Sequence, residues 1–213
     1  MSQTSHATKL PKAALAAVIG AGRLFHGRGW VPATAGNFSV RLDAKSLAVT
    51  TSGRHKGELG PGDFMRVDLQ GRALGKGKSS AETLLHCQLY RHDPAIGAVL
   101  HTHSPASTVL SRRHDSIRLE GYELLKIFAG IQTHETVVEV PVFENDQDIG
   151  RLSRVVDAHM QTGQVAHAYL IRGHGLYAWG RTVSEARHRV EALEFLFECE
   201  LSERLLQATG EGS

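Results

Sequence analysis

Apolar residues recur along this chain at two spacings, and each spacing predicts a type of element. Runs with helical spacing are framed by proline, by a capping box or by glycine, as in the first run, which starts at Pro11 and ends near Gly27. Shorter apolar runs end at glycine turns, which is typical of strands. The predicted helices cover residues 11–27, 79–93, 104–114, 145–160 and 185–206, and the predicted strands cover residues 36–42, 46–53, 64–71, 95–103, 137–143 and a pair within 167–180.

The order of these elements mixes hairpin-like strands with single helices. Strict alternation of strand and helix, which would favour a parallel sheet, is absent, so we expect an α/β sandwich on a largely antiparallel sheet. A chain of 213 residues is long enough for one substantial core. The sequence has no internal repeat and no linker-like segment, so one domain over residues 1–213 is expected.

Composition narrows the possible partners and compartments. The formal charge of +2 comes from interleaved charged residues with no basic run, which argues against nucleic acid. Cys87 and Cys199 lack C-x-x-C spacing, so free thiols in a reducing cytoplasm are expected. Lys9, Lys12 and Arg23 interrupt the first apolar stretch, so we expect neither a signal peptide nor a membrane span.

Histidine is unusually frequent, with 13 residues, and three of these histidines follow apolar strands. His101 and His103 lie two residues apart at the end of the strand in "GAVLHTHSPAST", so their imidazoles point to the same face. His174 lies between Gly173 and Gly175, where the flexible backbone lets its side chain turn inward. Three imidazoles with one open position are typical of catalytic zinc. Surface histidines at strand ends are the alternative.

Five short motifs, "TAGNFS", "TSG", "SAE", "VLHTH" and "RGHG", occur in the order and spacing of the class II aldolase family, and the chain resembles that family from about residue 20 to residue 200. The resemblance implies a three-layer α/β/α sandwich on a central, largely antiparallel sheet. It also implies one zinc ion per subunit, bound by His101, His103 and His174, and a homotetramer with active sites near the subunit interfaces.

The resemblance further implies a phosphate pocket at two glycine turns and the start of a helix. Backbone N–H groups, short hydroxyls and a helix N-terminus are the groups that bind phosphate, and "AGN", "TSG" and the serines at 79 and 80 supply them. Ordinary turn chemistry is the alternative for each motif alone. The implied pocket residues are Gly36, Asn37, Ser52, Gly53 and Ser80.

Longer stretches, including "GYELLKIFAGIQTHE" and "YLIRGHGLYAWG", resemble the branch of the family that dehydrates a methylthio ketose phosphate. This implies conversion of 5-methylthioribulose 1-phosphate to 5-methylthio-2,3-dioxopentyl phosphate in methionine salvage. A sugar-phosphate aldolase of the fuculose or rhamnulose type is the alternative. A non-catalytic interaction module, as in the adducin branch, is disfavoured because all three histidines are present.

Two glutamates are candidates for the acid/base role that the resemblance implies. Glu123, in "GYELLK", matches the glutamate that resembles the acid/base of the eukaryotic dehydratase relatives; its alternative is a solvent-facing strand carboxylate near Lys126. Glu82, in "SAE", lies where the aldolases have Ser-Ser-Glu, but Ser79-x-x-Glu82 also fits a capping box. We expect Glu123 to be the main proton shuttle and Glu82 to be a second candidate.

Three further residues receive only local expectations. Lys56, in the loop "GRHKG", either adds positive charge to the phosphate pocket or, as is common for loop lysines, lies in solvent. His86 falls in a predicted helix and is expected at the surface or the edge of the core. His134 lies near Glu123 in sequence, where a supporting role is open.

Overall fold

The computed structural model describes residues 10–163 and 168–210, and their elements follow the predicted order. Two sequence expectations fall on residues outside these ranges: Lys9 in the first apolar stretch and His167 at the start of the predicted strand pair. The helices are α1 (Lys12–Gly27), α2 (Thr83–His92), α3 (Pro105–Ser111), α4 (Ile149–Met160) and α5 (Val183–Gly210). The strands are β1 (Asn37–Asp43), β2 (Ser46–Thr50), β3 (Phe64–Asp68), β4 (Ala98–Thr102), β5 (Ser116–Glu120), β6 (Val137–Phe143), β7 (Ala168–Ile171) and β8 (Gly175–Gly180).

All eight strands belong to one sheet in the order β3-β2-β1-β4-β8-β7-β6-β5. Each neighbouring pair is antiparallel except β6 and β7, which run parallel. The expected largely antiparallel sheet is therefore confirmed. β4 lies between β1 and β8 near the middle of the sheet, so a residue at its end has covered strands on both sides.

Helices cover both faces of the sheet, because side chains of a strand point alternately to opposite faces. In β4, Ala98 and Leu100 pack in one core cluster with residues of α1, α3 and α5, whereas Val99 packs in another with residues of α2 and α4. The three-layer α/β/α sandwich is thus confirmed. The residues of β4 on the α2 side are Val99 and, two positions on, His101.

Two of the differences from the sequence prediction concern β5 and the start of α2. β5 is absent from the predicted strands, because it is an edge strand with only two buried apolar residues, Ile117 and Leu119. The helix predicted from residue 79 begins at Thr83 instead. Ser79 pairs with Thr51 in an isolated antiparallel bridge, which keeps that stretch extended and moves the helix start toward the C-terminus.

The described residues also bear on the membrane and cysteine expectations. No helix within residues 10–163 and 168–210 combines the length and the apolar character needed to cross a membrane. Cys87 is buried, Cys199 is half-buried, and both are free thiols, as expected.

Candidate metal centre and adjoining cleft

A row of three side chains crosses the centre of the sheet at the carboxyl end of β4. The strand register places Asn37 of β1 opposite His101, and His101 opposite Tyr177 of β8. Directly opposite residues of antiparallel strands share a face. All three side chains therefore lie on the side of the sheet that α2 covers.

His101 is held in one orientation and one tautomer. Its side chain is fully buried, and its ring stacks on Tyr177 with centroids 3.9 Å apart. Its Nδ1 lies 2.9 Å from the carbonyl oxygen of Leu176. Because that carbonyl can only accept, Nδ1 carries the proton, and the lone pair of Nε2 faces the cluster.

His103 and His174 complete a group of three imidazoles. The ring of His103 lies 4.4 Å from that of His101 and 4.5 Å from that of His174, so the expected side-by-side placement is confirmed. His174 follows β7, and the next residue, Gly175, passes so close to β4 that a Cβ there would lie 1.9 Å from the carbonyl oxygen of Thr102. Only glycine permits this approach, which brings His174 to the pair on β4.

This trio has the donor chemistry of a metal site. One ligand nitrogen from each histidine lies within 4.8 Å of the other two. Burial lowers the pKa of His103 to about 4 and holds the pKa of His101 well below its usual range, although Glu82 opposes the shift at both. Both rings are therefore neutral at pH 7, which is the form that binds metal. Nδ1 of His174 is buried without a hydrogen-bond partner among the described residues.

Glu82 directly contacts this cluster. Its carboxylate oxygens lie 3.3 Å from Nε2 of His101 and 3.1 Å from Nε2 of His174. They also accept hydrogen bonds from Nδ2 of Asn37 at 2.6 Å and from the hydroxyl of Tyr177 at 2.7 Å. The capping-box alternative is wrong, because the carboxylate makes these long-range contacts and caps no helix N–H.

The surroundings of Glu82 keep it ionised. Burial raises the pKa of this carboxyl, but His101, His174 and the hydrogen bond from Tyr177 outweigh burial and hold it well below its usual range. Because α2 begins directly after Glu82, the helix fixes the position of the carboxylate over the sheet. The site therefore contains one fixed negative charge beside three imidazoles.

A cleft of about 270 Å³ opens next to His103 and Glu82. The five residues implied for phosphate binding all line it, together with Lys56. Gly36 has φ +78°, and a Cβ there would lie 2.6 Å from the carbonyl oxygen of His101, so only glycine fits between the cleft and β4. The members of the implied set are Gly36, Asn37, Ser52, Gly53 and Ser80.

Lys56 is buried, which shows that the solvent-exposed alternative is wrong. It is 2 % exposed, and its ammonium donates to the carbonyl oxygens of Thr34 and Arg54 at 2.6 Å each. Burial lowers the pKa of Lys56 to about 8, against the opposing charge of Glu82, so it remains mostly charged at pH 7. An ammonium has three donors, and the two carbonyls leave one for a ligand in the cleft.

Glu123 lies on the surface of the single chain. Its side chain is 73 % exposed, forms an ion pair with Lys126 and lies 3.7 Å from Nδ1 of His134. Lys126 holds the pKa of the Glu123 carboxyl below its usual value. Among the described residues, no hydrogen bond or ion pair connects Glu123 to the three histidines, whereas Glu82 is directly beside them.

Sequence reasoning misplaced His86, which is fully buried and not at the surface. It lies between α2 and the sheet, where Asn37 and Ser39 of β1 face it and contact its ring nitrogens. The available signal was that these two polar residues alternate with the apolar Phe38 and Val40 in the buried first half of β1, so they share a face that a polar partner had to cover.

Comparison with known proteins places this geometry in a family context. Residues 16–201 match the family described as class II aldolase and adducin N-terminal domain. The methylthioribulose-1-phosphate dehydratase of Pseudomonas aeruginosa is 57 % identical over 187 residues, covering 86 % of this chain and 91 % of the relative. The protein of the same name from Methylococcus capsulatus is 56 % identical over 186 residues, covering 87 % and 91 %.

A solved structure named for a different activity has the same fold. The crystal structure of L-fuculose-1-phosphate aldolase from Thermus thermophilus superposes with a TM-score of 0.76 at 28 % identity. The match covers 92 % of this chain and 97 % of that one.

Proposed function

This chain belongs to the class II aldolase and adducin family, and from that premise we propose that it dehydrates 5-methylthioribulose 1-phosphate to 5-methylthio-2,3-dioxopentyl phosphate in methionine salvage. Dehydratases of that substrate share more than half of its residues over most of its length. The observation that carries the proposal is the contact of Glu82 with two of the three clustered histidines, His101 and His174, beside a cleft lined by a buried lysine. The two free cysteines support a reducing cytoplasm as its compartment.

The three histidines are proposed to hold one zinc ion. Neutral imidazole is a preferred zinc ligand, and the tautomer of His101 leaves its Nε2 free to bind. Bound at this position, zinc would polarise the substrate ketone as a Lewis acid and make the neighbouring C–H more acidic.

The cleft is proposed to bind the substrate phosphate. Lys56 supplies positive charge there, and the glycine turns at Gly36 and Gly53 together with Ser52 and Ser80 supply backbone N–H groups and hydroxyls. Anchoring the phosphate at one end of the substrate would hold the reacting carbons next to the histidine cluster, because the cleft adjoins His103.

The reaction requires one base and one acid. Removal of the proton from C3 and departure of the C4 hydroxyl as water leave an enol that tautomerises to the 2,3-diketone, so no oxidant or reductant is consumed. We assign the proton transfers to Glu123, which takes the C3 proton and returns it to the leaving hydroxyl. Glu82 is the second candidate for this role, and its place at the cluster supports a part in binding and orienting the substrate.

Glu123 is proposed to reach the site of a neighbouring subunit in a homotetramer. It lies at the edge of exposed apolar residues: Leu124 is 36 % exposed, Ile127 38 % and Phe195 53 %. These three residues adjoin a groove of about 550 Å³ that Trp30 also lines, and the carbonyl oxygen of Trp30 accepts a hydrogen bond from the backbone N–H of His103. In a closed ring one surface meets a different surface of the next subunit, so Glu123 of one subunit can face the histidines of another.

The test is product formation from 5-methylthioribulose 1-phosphate by the zinc-loaded protein, its chelator-treated form and two variants. Diketone formation that requires zinc and is lost in Glu123→Gln supports the proposal and its base. Loss in Glu82→Gln with full activity in Glu123→Gln would transfer the proton shuttle to Glu82. Absence of diketone from the zinc-loaded wild type would contradict the proposed function.

A further inference from the structure

A chain of buried hydrogen bonds extends from Glu82 into the core between α2 and the sheet. Asn37 Nδ2 donates to Glu82, and Asn37 Oδ1 contacts Nε2 of His86. Nδ1 of His86 lies 2.7 Å from Oγ of Ser39, which lies 2.9 Å from the hydroxyl of Tyr90. Each of the four residues beyond Glu82 is at most 4 % exposed, so water does not compete for these groups.

The carboxylate at the end of this chain sets the direction of every hydrogen bond in it. A carboxylate only accepts, so the amide nitrogen of Asn37 faces Glu82 and its oxygen faces His86. That oxygen also only accepts, so the proton of His86 lies on Nε2. Nδ1 is then an acceptor, which requires the Ser39 hydroxyl to donate to it and the Tyr90 hydroxyl to donate to Ser39.

The protonation state and the position of the His86 ring are both restricted by its surroundings. Burial lowers the pKa of His86 to about 4, against the charge of Glu82, so the ring remains neutral with one proton to place. The ring also lies edge-on to Tyr177, with centroids 5.6 Å apart, and Tyr177 is the second donor to Glu82. His86 therefore contacts both side chains that donate hydrogen bonds to this carboxylate.

We propose that His86 is a positioning residue: as the Nε2–H tautomer, oriented by Ser39, it fixes the amide of Asn37 so that Glu82 is held against the metal-binding histidines. Without the donor on His86, the amide can rotate by 180° and present its oxygen to the Glu82 carboxylate, which repels it. The effect on turnover rests on the proposed function, whereas the tautomer does not.

The first measurement is therefore independent of activity. Nitrogen-15 NMR of the wild-type protein with labelled histidine, assigned by comparison with His86→Gln, reports which nitrogen of His86 carries the proton. The Nε2–H tautomer is expected, and loss of the Ser39 donor in Ser39→Ala is expected to shift the Nδ1 resonance. The Nδ1–H tautomer in the wild type would overturn the proposal.

The second measurement compares two substitutions of His86 in the zinc-loaded enzyme. His86→Phe fills the space without a donor, so the Asn37 amide can rotate and stop donating to the charged Glu82. We expect kcat to fall about tenfold or more, the effect of losing one hydrogen bond to a charged group. His86→Gln is expected to recover most of that loss, because its amide can donate to Asn37. His92→Phe, an exposed residue on the same helix, is the control and is expected to keep full kcat.

The outcomes separate this proposal from the proposed function. Equal kcat in His86→Phe and the wild type, or equal loss in His86→Phe and His86→Gln with unchanged zinc content, would contradict the positioning role. If the wild type forms no diketone, the proposed function fails, and the tautomer of His86 still decides the positioning role. The tautomer also decides it if His86→Phe does not fold.

Discussion

At the scale of single residues, burial and the neighbouring groups together set the charge of each group that would meet the substrate. His103 is neutral because burial disfavours its charged form, and Glu82 is ionised because its partners outweigh its burial. Lys56 keeps its charge at pH 7 although it is buried, since two carbonyl oxygens solvate its ammonium. The cleft therefore offers a positive charge at Lys56, which an anionic phosphate monoester requires, while the carboxylate of Glu82 lies at the histidine cluster.

Replacing Lys56 tests whether its charge binds the substrate phosphate. Lys56→Met is expected to raise KM about ten- to a hundredfold, because a hydrogen bond to a charged group contributes about 1.5–3 kcal/mol. The exposed Lys45 gives the control, and Lys45→Met is expected to leave KM unchanged. Steady-state kinetics over a range of substrate concentrations measures both, and an unchanged KM in Lys56→Met would exclude the lysine from phosphate binding.

Glu194 is expected to make the stability of the protein depend on pH. Burial raises the pKa of this α5 carboxyl to about 7, although the hydroxyls of Ser104 and Thr102 donate to it. The folded state then holds a proton that the unfolded chain releases above pH 4.5, so the contribution of Glu194 to the free energy of unfolding falls as pH rises from about 4.5 to 7, by on the order of 3 kcal/mol.

Glu194→Gln, which cannot ionise, is expected to lack that contribution, so the stability of the variant relative to the wild type should rise as pH rises. The measurement is urea unfolding at pH 5 and pH 8, with Glu203→Gln, an exposed residue of the same helix, as the control. Identical pH dependence in Glu194→Gln and the wild type would show that Glu194 is not the group responsible.

At the scale of elements, helix α1 supports the loop that carries Lys56. Gly22 faces this loop, and a Cβ there would lie 2.4 Å from the carbonyl oxygen of Lys56. At Gly20, on the same helix, a Cβ would have nothing within 4 Å. A side chain therefore fits at Gly20 but not at Gly22.

Alanine at each position is expected to change stability in opposite directions. Gly20→Ala should raise the free energy of unfolding by about 0.5–1 kcal/mol, because alanine favours the helix. Gly22→Ala should lower it by about 1–3 kcal/mol, because a backbone carbonyl must move, and should also raise KM. Thermal unfolding measures the stability of both variants. Equal changes in the free energy of unfolding would show that close packing of α1 against this loop does not contribute to stability.

Apolar periodicity predicted the strands that flank the three clustered histidines, because β4 and β8 are buried on both faces and each is a nearly continuous apolar run. It misplaced the start of α2, since Ser79-x-x-Glu82 has the local pattern of a capping box while the carboxylate contacts residues distant in sequence. It also misplaced His86. Periodicity separates apolar from polar faces within one element. Predicting a buried polar pair between a helix and a strand requires knowing how the two elements are aligned against each other.

At the scale of the whole molecule, the proposed active site takes residues from two neighbouring subunits. Glu82 and His174 of one chain are 3.1 Å apart, whereas Glu123 of that chain is exposed beside apolar surface. A homotetramer would cover that surface and supply Glu123 to a neighbour.

Mixing inactive variants tests this division. Glu123→Gln and His174→Ala subunits, refolded together, are expected to regain activity, since a mixed oligomer can form a site with both native residues. Glu82→Gln mixed with His174→Ala should remain inactive, because these two residues meet within one chain. No recovery in the first mixture, with mixed oligomers verified by native mass spectrometry, would place Glu123 and the histidines of a working site in the same chain.

The proposed dehydration is tested most directly by identifying the products of two sugars by proton and phosphorus NMR. The zinc-loaded protein is incubated separately with 5-methylthioribulose 1-phosphate and L-fuculose 1-phosphate. A dehydratase is expected to form 5-methylthio-2,3-dioxopentyl phosphate from the first sugar and not to cleave the second. Dihydroxyacetone phosphate released from L-fuculose 1-phosphate, with no diketone from the other sugar, would contradict the proposed dehydration and identify an aldolase.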